Sequence, residues 1–137
     1  MKKRKSPVRK PIPMTRWGKD HWSTFAYVEM RIVDYAGVPN RRHLRVSPKR
    51  HPGLAHCPWE VDIPTRLNDG KVRNNHDDID CIDDMIAAGL LEWKGTGINP
   101  IFKLTPLGKE VAGLLRKHKG DGGWFATFDP SGKAVSP

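Results

Sequence analysis

Carboxylates that could hold a metal ion are concentrated between residues 77 and 84, directly after His76. If this segment is a helix, Asp77, Asp80 and Asp84 lie within reach of one another, because residues three and four apart are neighbours. Grouped carboxylates can bind a divalent cation, as in a metal-dependent nuclease. A helix start also favours acids, because the positive end of the helix dipole lies there. The second interpretation is favoured, and we predict no catalytic residue here.

A second group contains the ligand types that zinc prefers. Its members are His51, His56, Cys57, His76 and Cys81. Their spacing is irregular and no Cys-x-x-Cys pair occurs, so four ligands would have to converge from separate elements. Histidines that stabilise turns are the more ordinary interpretation, and the sequence leaves metal binding open. No cofactor is predicted, and the neighbouring Cys57 and His56, or Ser23 and His21, are too weak a signal for nucleophilic catalysis.

The charges are segregated along the chain. Residues 1–19 hold eight Lys and Arg and no acid, residues 76–93 hold six acids and no Lys or Arg, and residues 94–119 hold six bases and one acid. Such separation predicts a dipolar body with a cationic arm that attracts phosphates. The predicted nucleic-acid contacts are Lys2, Lys3, Arg4, Lys5, Arg9, Lys10, Arg41, Arg42, Arg45, Lys94, Lys103, Arg116 and Lys117.

The N-terminal half gives an ambiguous periodicity. Residues 22–34 are rich in aromatic and β-branched types, and the turn formers at 35–40 followed by residues 43–46 predict a β-hairpin. The alternative is a helix with Phe25, Val28, Ile32 and Tyr35 on one face. Residues 47–75 are dominated by turn formers, with a strand-like stretch at 59–63. For the rest of this long connection the sequence leaves three alternatives open: a short helix near 64–67, a functional loop or a metal-organised segment. The aromatics Trp17, Trp22, Phe25 and Tyr27 either stack on single-stranded bases or, more ordinarily, form core.

The C-terminal half predicts a helix, a hairpin and a second helix. An apolar stripe runs through Ile79, Ile82, Ile86 and Leu90, with His76 or Asp77 as the N-cap and Gly89 as a left-handed end. Two short strands follow, at 90–95 and 101–105, around a Gly-Thr-Gly-Ile-Asn-Pro turn. The second helix then repeats apolar residues at Leu107, Val111, Leu114 and Leu115.

The segments Ala87-Ala88-Gly89-Leu90-Leu91-Glu92-Trp93 and Phe102-Lys103-Leu104-Thr105-Pro106-Leu107-Gly108 resemble the end of bacterial winged-helix regulator domains. The resemblance covers about residues 77–118, and the N-terminal half matches no family. It implies that the hairpin is a wing. In DNA-reading members the helix before the wing enters the major groove and carries Arg, Lys, Asn or Gln. This chain has aspartates there, so we expect the arm, the wing and the last helix to contact phosphate instead.

The predicted class is a small single α+β domain with flexible tails. Residues 1–15 form a disordered basic arm, 16–119 the domain, and 120–137 a C-terminal extension whose aromatics fold back. Two cysteines fit a cytoplasmic protein, and no apolar run approaches the ~20 residues needed to span a membrane. We expect a nucleic-acid-binding accessory or regulatory protein, reminiscent of those of bacteria or their viruses. The alternative is a protein-interaction module that docks through the acidic helix 77–88, using Asp80, Asp83 and Asp84; a metal-dependent nuclease is a third.

Overall fold

Three helices and two small antiparallel sheets make up the fold. The computed structural model describes residues 11–35, 37, 44–47, 64–74, 76–95 and 100–130. The helices are α1 (Lys19–Tyr35), α2 (Asp78–Ala87) and α3 (Pro106–Gly120), and the strands are β1 (Thr65–Arg66), β2 (Val72–Arg73), β3 (Leu91–Gly95) and β4 (Pro100–Leu104). Short 3₁₀ turns at Met14–Arg16 and Phe125–Thr127 precede α1 and follow α3. This confirms the predicted α+β class.

The N-terminal β-hairpin was a wrong prediction, because residues 19–35 form the helix α1. Trp22, Phe25 and Val28 recur at helical spacing, and each is at most 1% exposed. Burial of this stripe outweighs the strand propensity of its aromatic and β-branched residues, which is weak and depends on context. The alternative helix was therefore the correct interpretation for residues 22–34. Residues 44–47 lie outside the named strands.

The helix, hairpin and helix of the C-terminal half lie where the sequence predicts them. β3 pairs with β4 in antiparallel register, with Trp93 opposite Phe102. Asp77 caps α2, and Gly89 has the predicted left-handed conformation with φ of 83°. Thr105 caps α3, with Pro106 at the first helical position. Local capping chemistry therefore fixes both helix starts.

The connection before α2 contains a minimal hairpin in place of the short helix suggested near 64–67. β1 and β2 pair around residues 67–71, where Gly70 has φ of 84°. An isolated bridge joins Leu67 to Trp17, so this hairpin is attached to the start of α1. The strand-like stretch at 59–63 lies outside the described residues.

The core lies between α1, α2, α3 and the β3–β4 hairpin. Its largest members include Trp17, Trp22, Phe25 and Phe102, all at most 1% exposed. At one end of the described chain, Ile12 is 2% exposed, although it falls within residues 1–15, where the sequence predicts a disordered arm. At the other end, Phe128 packs edge-on against Trp22 with ring centroids 4.7 Å apart. Thus residues on both sides of the helical body contribute to one core.

Candidate functional site

All five aspartates of the acidic segment point into the molecule. Asp77, Asp78, Asp80, Asp83 and Asp84 are at most 7% exposed. Two of them satisfy the start of α2: Asp77 Oδ1 accepts from the Asp80 backbone N–H and Asp80 Oδ2 accepts from the Asp77 N–H, each at 3.0 Å. Asp77 Oδ2 also accepts from the Ser47 N–H at 2.8 Å. These carboxylates close a capping box and anchor a neighbouring segment.

Arg45, a predicted phosphate contact, is joined to two of the chain's own carboxylates. Its Nη2 lies 3.0 Å from Asp78 Oδ1 and 3.7 Å from Asp20 Oδ1, and its backbone N–H donates to Asp78 Oδ2 at 2.7 Å. Burial raises the pKa of Asp78, although Arg45 opposes the shift. Burial acts to lower the pKa of Arg45, but the charges of Asp78 and Asp20 outweigh it and the pKa is raised. The pair lines a small cleft of about 220 Å³.

Asp84 is the centre of a buried polar cluster that links three parts of the chain. Its Oδ2 lies 2.8 Å from His21 Nε2, on α1, and 2.9 Å from His76 Nε2, just before α2. Its Oδ1 accepts from the Ile12 backbone N–H at 3.1 Å. Burial acts to raise the pKa of Asp84, but the bonds from both imidazoles outweigh it and the pKa is lowered. The carboxylate is therefore held in its charged form.

Cys81 and Thr65 extend this cluster on the far side of His76. Cys81 Sγ lies 3.7 Å from His76 Nδ1 and 3.6 Å from Thr65 Oγ1, and Thr65 Oγ1 lies 3.0 Å from His76 Nδ1. Burial raises the pKa of the Cys81 thiol well above its usual value. Burial likewise lowers the pKa of His21, although Asp84 opposes that shift. One ligand atom each from His21, His76 and Cys81 lie within 4.8 Å of one another.

The aromatics considered for base stacking are part of the core. Trp17, Trp22 and Phe25 are at most 1% exposed, and Trp17 stacks on the His21 ring at 4.9 Å between centroids. Tyr27 is half-buried. Trp17, Trp22 and Phe25 are therefore core residues, as in the ordinary interpretation, and Tyr27 lies at the edge of the core.

Exposed cations lie on the β3–β4 hairpin and on α3. Successive side chains of a strand point to opposite faces, and the Trp93–Phe102 pair points inward. Lys94 and Lys103 therefore lie on the outer face of the hairpin, together with Glu92. Lys94 Nζ is 3.6 Å from Glu92 Oε2. On α3, Lys117 is exposed, whereas Arg116 forms an ion pair with Glu29 of α1. The hairpin and α3 therefore both present positive charge to solvent.

Several predicted site residues fall outside the described part of the chain. They are the arm residues Lys2, Lys3, Arg4, Lys5, Arg9 and Lys10, the pair Arg41 and Arg42, and the candidate ligands His51, His56 and Cys57. Of the predicted partner-binding set, Asp80, Asp83 and Asp84 are 6%, 7% and 4% exposed. The acidic helix therefore offers a partner little carboxylate surface.

Sequence reasoning missed His21 and Thr65 as members of the cluster. A signal for His21 was present, because a helix at 19–35 places it beside Trp22, Phe25 and Val28 on the buried face. A histidine on such a stripe needs a polar partner inside the core. For Thr65 the sequence holds no comparable signal, because its contacts depend on the packing of β1 against the start of α2.

Comparison of the chain with protein-family models, with curated proteins and with solved structures found no match. Within the described ranges, none of the helices combines the length and apolar character needed to cross a membrane.

Proposed function

We propose that this protein is a cytoplasmic nucleic-acid-binding accessory or regulatory protein that contacts the phosphate backbone through basic side chains. The observation that carries the proposal is a one-sided burial of charge. The described residues contain thirteen Lys and Arg and thirteen Asp and Glu. Six of those acids are buried and none of the bases is, so thirteen bases and seven acids lie outside the core, with Arg45 paired to the buried Asp78 and Asp20.

This imbalance removes the objection that the acidic helix raises. Carboxylates at a protein–phosphate interface would repel the backbone, but those of α2 are covered by protein and used in caps and ion pairs. The residues outside the described ranges add eleven Lys and Arg and two acids. A chain with this excess of Lys and Arg attracts a polyanion and releases its counterions, so binding should depend steeply on salt.

The arrangement of α2, the β3–β4 hairpin and α3 supports a winged-helix-like mode of binding. In this proposal the hairpin is the wing and presents Lys94 and Lys103, while α3 presents Lys117. Because eight of the ten residues of α2 are buried, this helix presents no side chain suited to reading base edges. Contacts to phosphate position a protein on nucleic acid without specifying sequence, so we propose backbone binding with little sequence preference.

The competing proposal, a protein-interaction module docking through α2, is less well supported. It needs the carboxylates of Asp80, Asp83 and Asp84 at the surface, whereas each is at most 7% exposed. Docking through them would require α2 to leave the core.

Fluorescence anisotropy with labelled duplex DNA, single-stranded DNA and RNA of equal length tests the proposal. The logarithm of the binding constant should fall linearly with the logarithm of the salt concentration. A full-length variant with the six arm bases (Lys2, Lys3, Arg4, Lys5, Arg9 and Lys10) changed to Gln should lose most of the affinity and flatten the salt slope. Wild-type protein that binds none of the three probes at low salt would refute the proposal, as would binding that does not respond to salt.

A matched pair of double variants locates the surface on the folded body. Lys103→Gln with Lys117→Gln removes two charges from the proposed interface and should reduce the salt slope by about two. Lys19→Gln with Lys71→Gln removes the same charge elsewhere on the described surface and should change the slope less. Equal effects from both pairs would mean that the hairpin and α3 have no special role.

A further inference from the structure

The cluster around His21, His76 and Cys81 has no part in the proposed contacts with phosphate. Its side chains, including that of Asp84, are at most 4% exposed and come from α1, from the residue that precedes Asp77, and from α2. Two imidazoles, a thiol and a carboxylate are a costly set to bury unless each polar atom has a partner. The hydrogen bonds of the cluster can therefore be counted atom by atom.

Asp84 Oδ2 lies 2.8 Å from Nε2 of His21 and 2.9 Å from Nε2 of His76. A neutral imidazole that donates from Nε2 to a carboxylate has its lone pair on Nδ1. The only hydrogen of the Thr65 hydroxyl is donated to the carbonyl oxygen of His76. Thr65 Oγ1, 3.0 Å from His76 Nδ1, therefore acts there as an acceptor, and the Cys81 thiol lies 3.7 Å from the same nitrogen. A metal ion bound at His76 Nδ1 would replace these two contacts.

Among the described residues, none is a hydrogen-bond partner of His21 Nδ1, although this nitrogen is buried. The shared carboxylate of Asp84 orients both rings, and in metal sites a carboxylate commonly holds one ring nitrogen of a histidine whose other nitrogen binds the metal.

We propose that His21, His76 and Cys81 bind a structural Zn²⁺ ion, with Asp84 as the carboxylate that orients both imidazoles. One ring nitrogen of each histidine and Cys81 Sγ lie within 4.8 Å of one another. Tetrahedral zinc with Zn–N near 2.0–2.1 Å and Zn–S near 2.3 Å brings its ligands to roughly 3.3–3.7 Å apart. Inward shifts of about 1 Å bring the three ligands to this spacing, and the fourth position of the tetrahedron is left for a water molecule.

Charge balance supports a divalent ion. Binding displaces the thiol proton of Cys81 to solvent, and the resulting thiolate together with the Asp84 carboxylate cancels the two positive charges of the metal. Nitrogen and sulfur ligands favour zinc over magnesium or calcium, which prefer oxygen. Because the three ligands are at most 3% exposed, the ion links α1 to α2 and does not face a substrate.

Metal analysis of the full-length chain, purified under reducing conditions and reconstituted with zinc, tests the proposal. We expect about one Zn²⁺ per chain by inductively coupled plasma mass spectrometry. Replacement by Co²⁺ should give the visible bands of a tetrahedral site and a near-ultraviolet thiolate-to-metal band. Cys81→Ser should lose that ultraviolet band and weaken metal binding at least tenfold.

Two matched controls separate this site from others. His118→Gln removes a part-buried histidine that bonds Trp124 and Thr127 instead of the cluster, and should retain the metal. Cys57→Ser removes the other cysteine of the sequence and should keep the ultraviolet band, which identifies Cys81 as its source even if Cys81→Ser does not fold. A wild-type chain that is folded by circular dichroism yet holds no metal and gives no Co²⁺ band would overturn the proposal. So would loss of the band in Cys57→Ser, or of the metal in His118→Gln.

Discussion

α2 has a net negative charge and is mostly buried, whereas α3 has a net positive charge and is mostly outside the core. Of the ten residues of α2, eight are buried, including four aspartates, whereas α3 buries four of fifteen and exposes its lysines. Both helices begin on a capping side chain and both present an apolar stripe to the core. The difference lies in what the polar residues of each helix touch: those of α2 contact other parts of the chain, and those of α3 mostly contact water. Charge along a sequence is therefore a poor guide to charge on a surface.

Asp84→Asn gives the largest expected effect and tests the internal role of the α2 carboxylates. The amide removes the negative charge and one acceptor from a group that Ile12, His21 and His76 all contact. We expect the free energy of unfolding to fall by about 3 kcal/mol or more, because a buried charge partner is lost. Urea unfolding followed by tryptophan fluorescence measures it.

The matched control is Asp69→Asn, in the exposed turn between β1 and β2, where Asp69 Oδ1 accepts from the Lys71 N–H at 2.9 Å. We expect a change of about 0.5 kcal/mol. If the two variants unfold at the same urea concentration, the Asp84 cluster does not stabilise the fold.

Two glycines of α3 should respond to alanine with opposite signs. A Cβ at Gly108 would press against the carbonyl oxygen of Leu90, at the point where α3 crosses the start of the hairpin, so Gly108→Ala should destabilise by about 2 kcal/mol. At Gly113 the nearest atom to a new Cβ is Nη2 of Arg116 at 3.8 Å, so Gly113→Ala should stabilise the helix by about 0.5–1 kcal/mol. Thermal unfolding of both variants measures the signs. Equal shifts would show that α3 does not approach Leu90 as described.

The two N-caps provide a smaller contrast between the helices. Asp77→Ala removes acceptors from Asp80 and Ser47 in a site that is 0% exposed, and should cost about 2 kcal/mol. Thr105→Ala removes one acceptor from Gly108 at a half-buried position, and should cost about 1 kcal/mol. Circular dichroism during urea unfolding of each variant gives the two values. If Thr105→Ala lowers the free energy of unfolding more than Asp77→Ala does, the cap of α2 is not the more important of the two.

Short-range signals account for what the sequence predicted well. Asp77, Gly89 and Thr105-Pro106 mark helix ends through their own hydrogen bonds and backbone preferences, and the structure has those ends within a residue or two of the prediction. Where the outcome depends on distant packing, prediction failed. The strand-like composition of residues 22–34 gave way to the buried stripe of α1, and the aspartates were expected at the surface although their partners lie up to 72 positions away along the chain.

Glu92→Gln gives the smallest expected effect on stability and tests whether the outer face of the hairpin contacts nucleic acid. Glu92 is the one acid among the exposed polar residues on the outer face of the hairpin, where it lies beside Lys94 and opposite Lys103. Because an exposed ion pair contributes little, the free energy of unfolding should change by less than about 0.5 kcal/mol. Loss of one negative charge near phosphate should tighten nucleic-acid binding about threefold at low salt. Anisotropy titrations of this variant and of Asp69→Asn, which removes the same charge from the β1–β2 turn, measure the two affinities. An equal gain in affinity in both variants would mean that only net charge matters. No gain in Glu92→Gln would place the hairpin outside the interface.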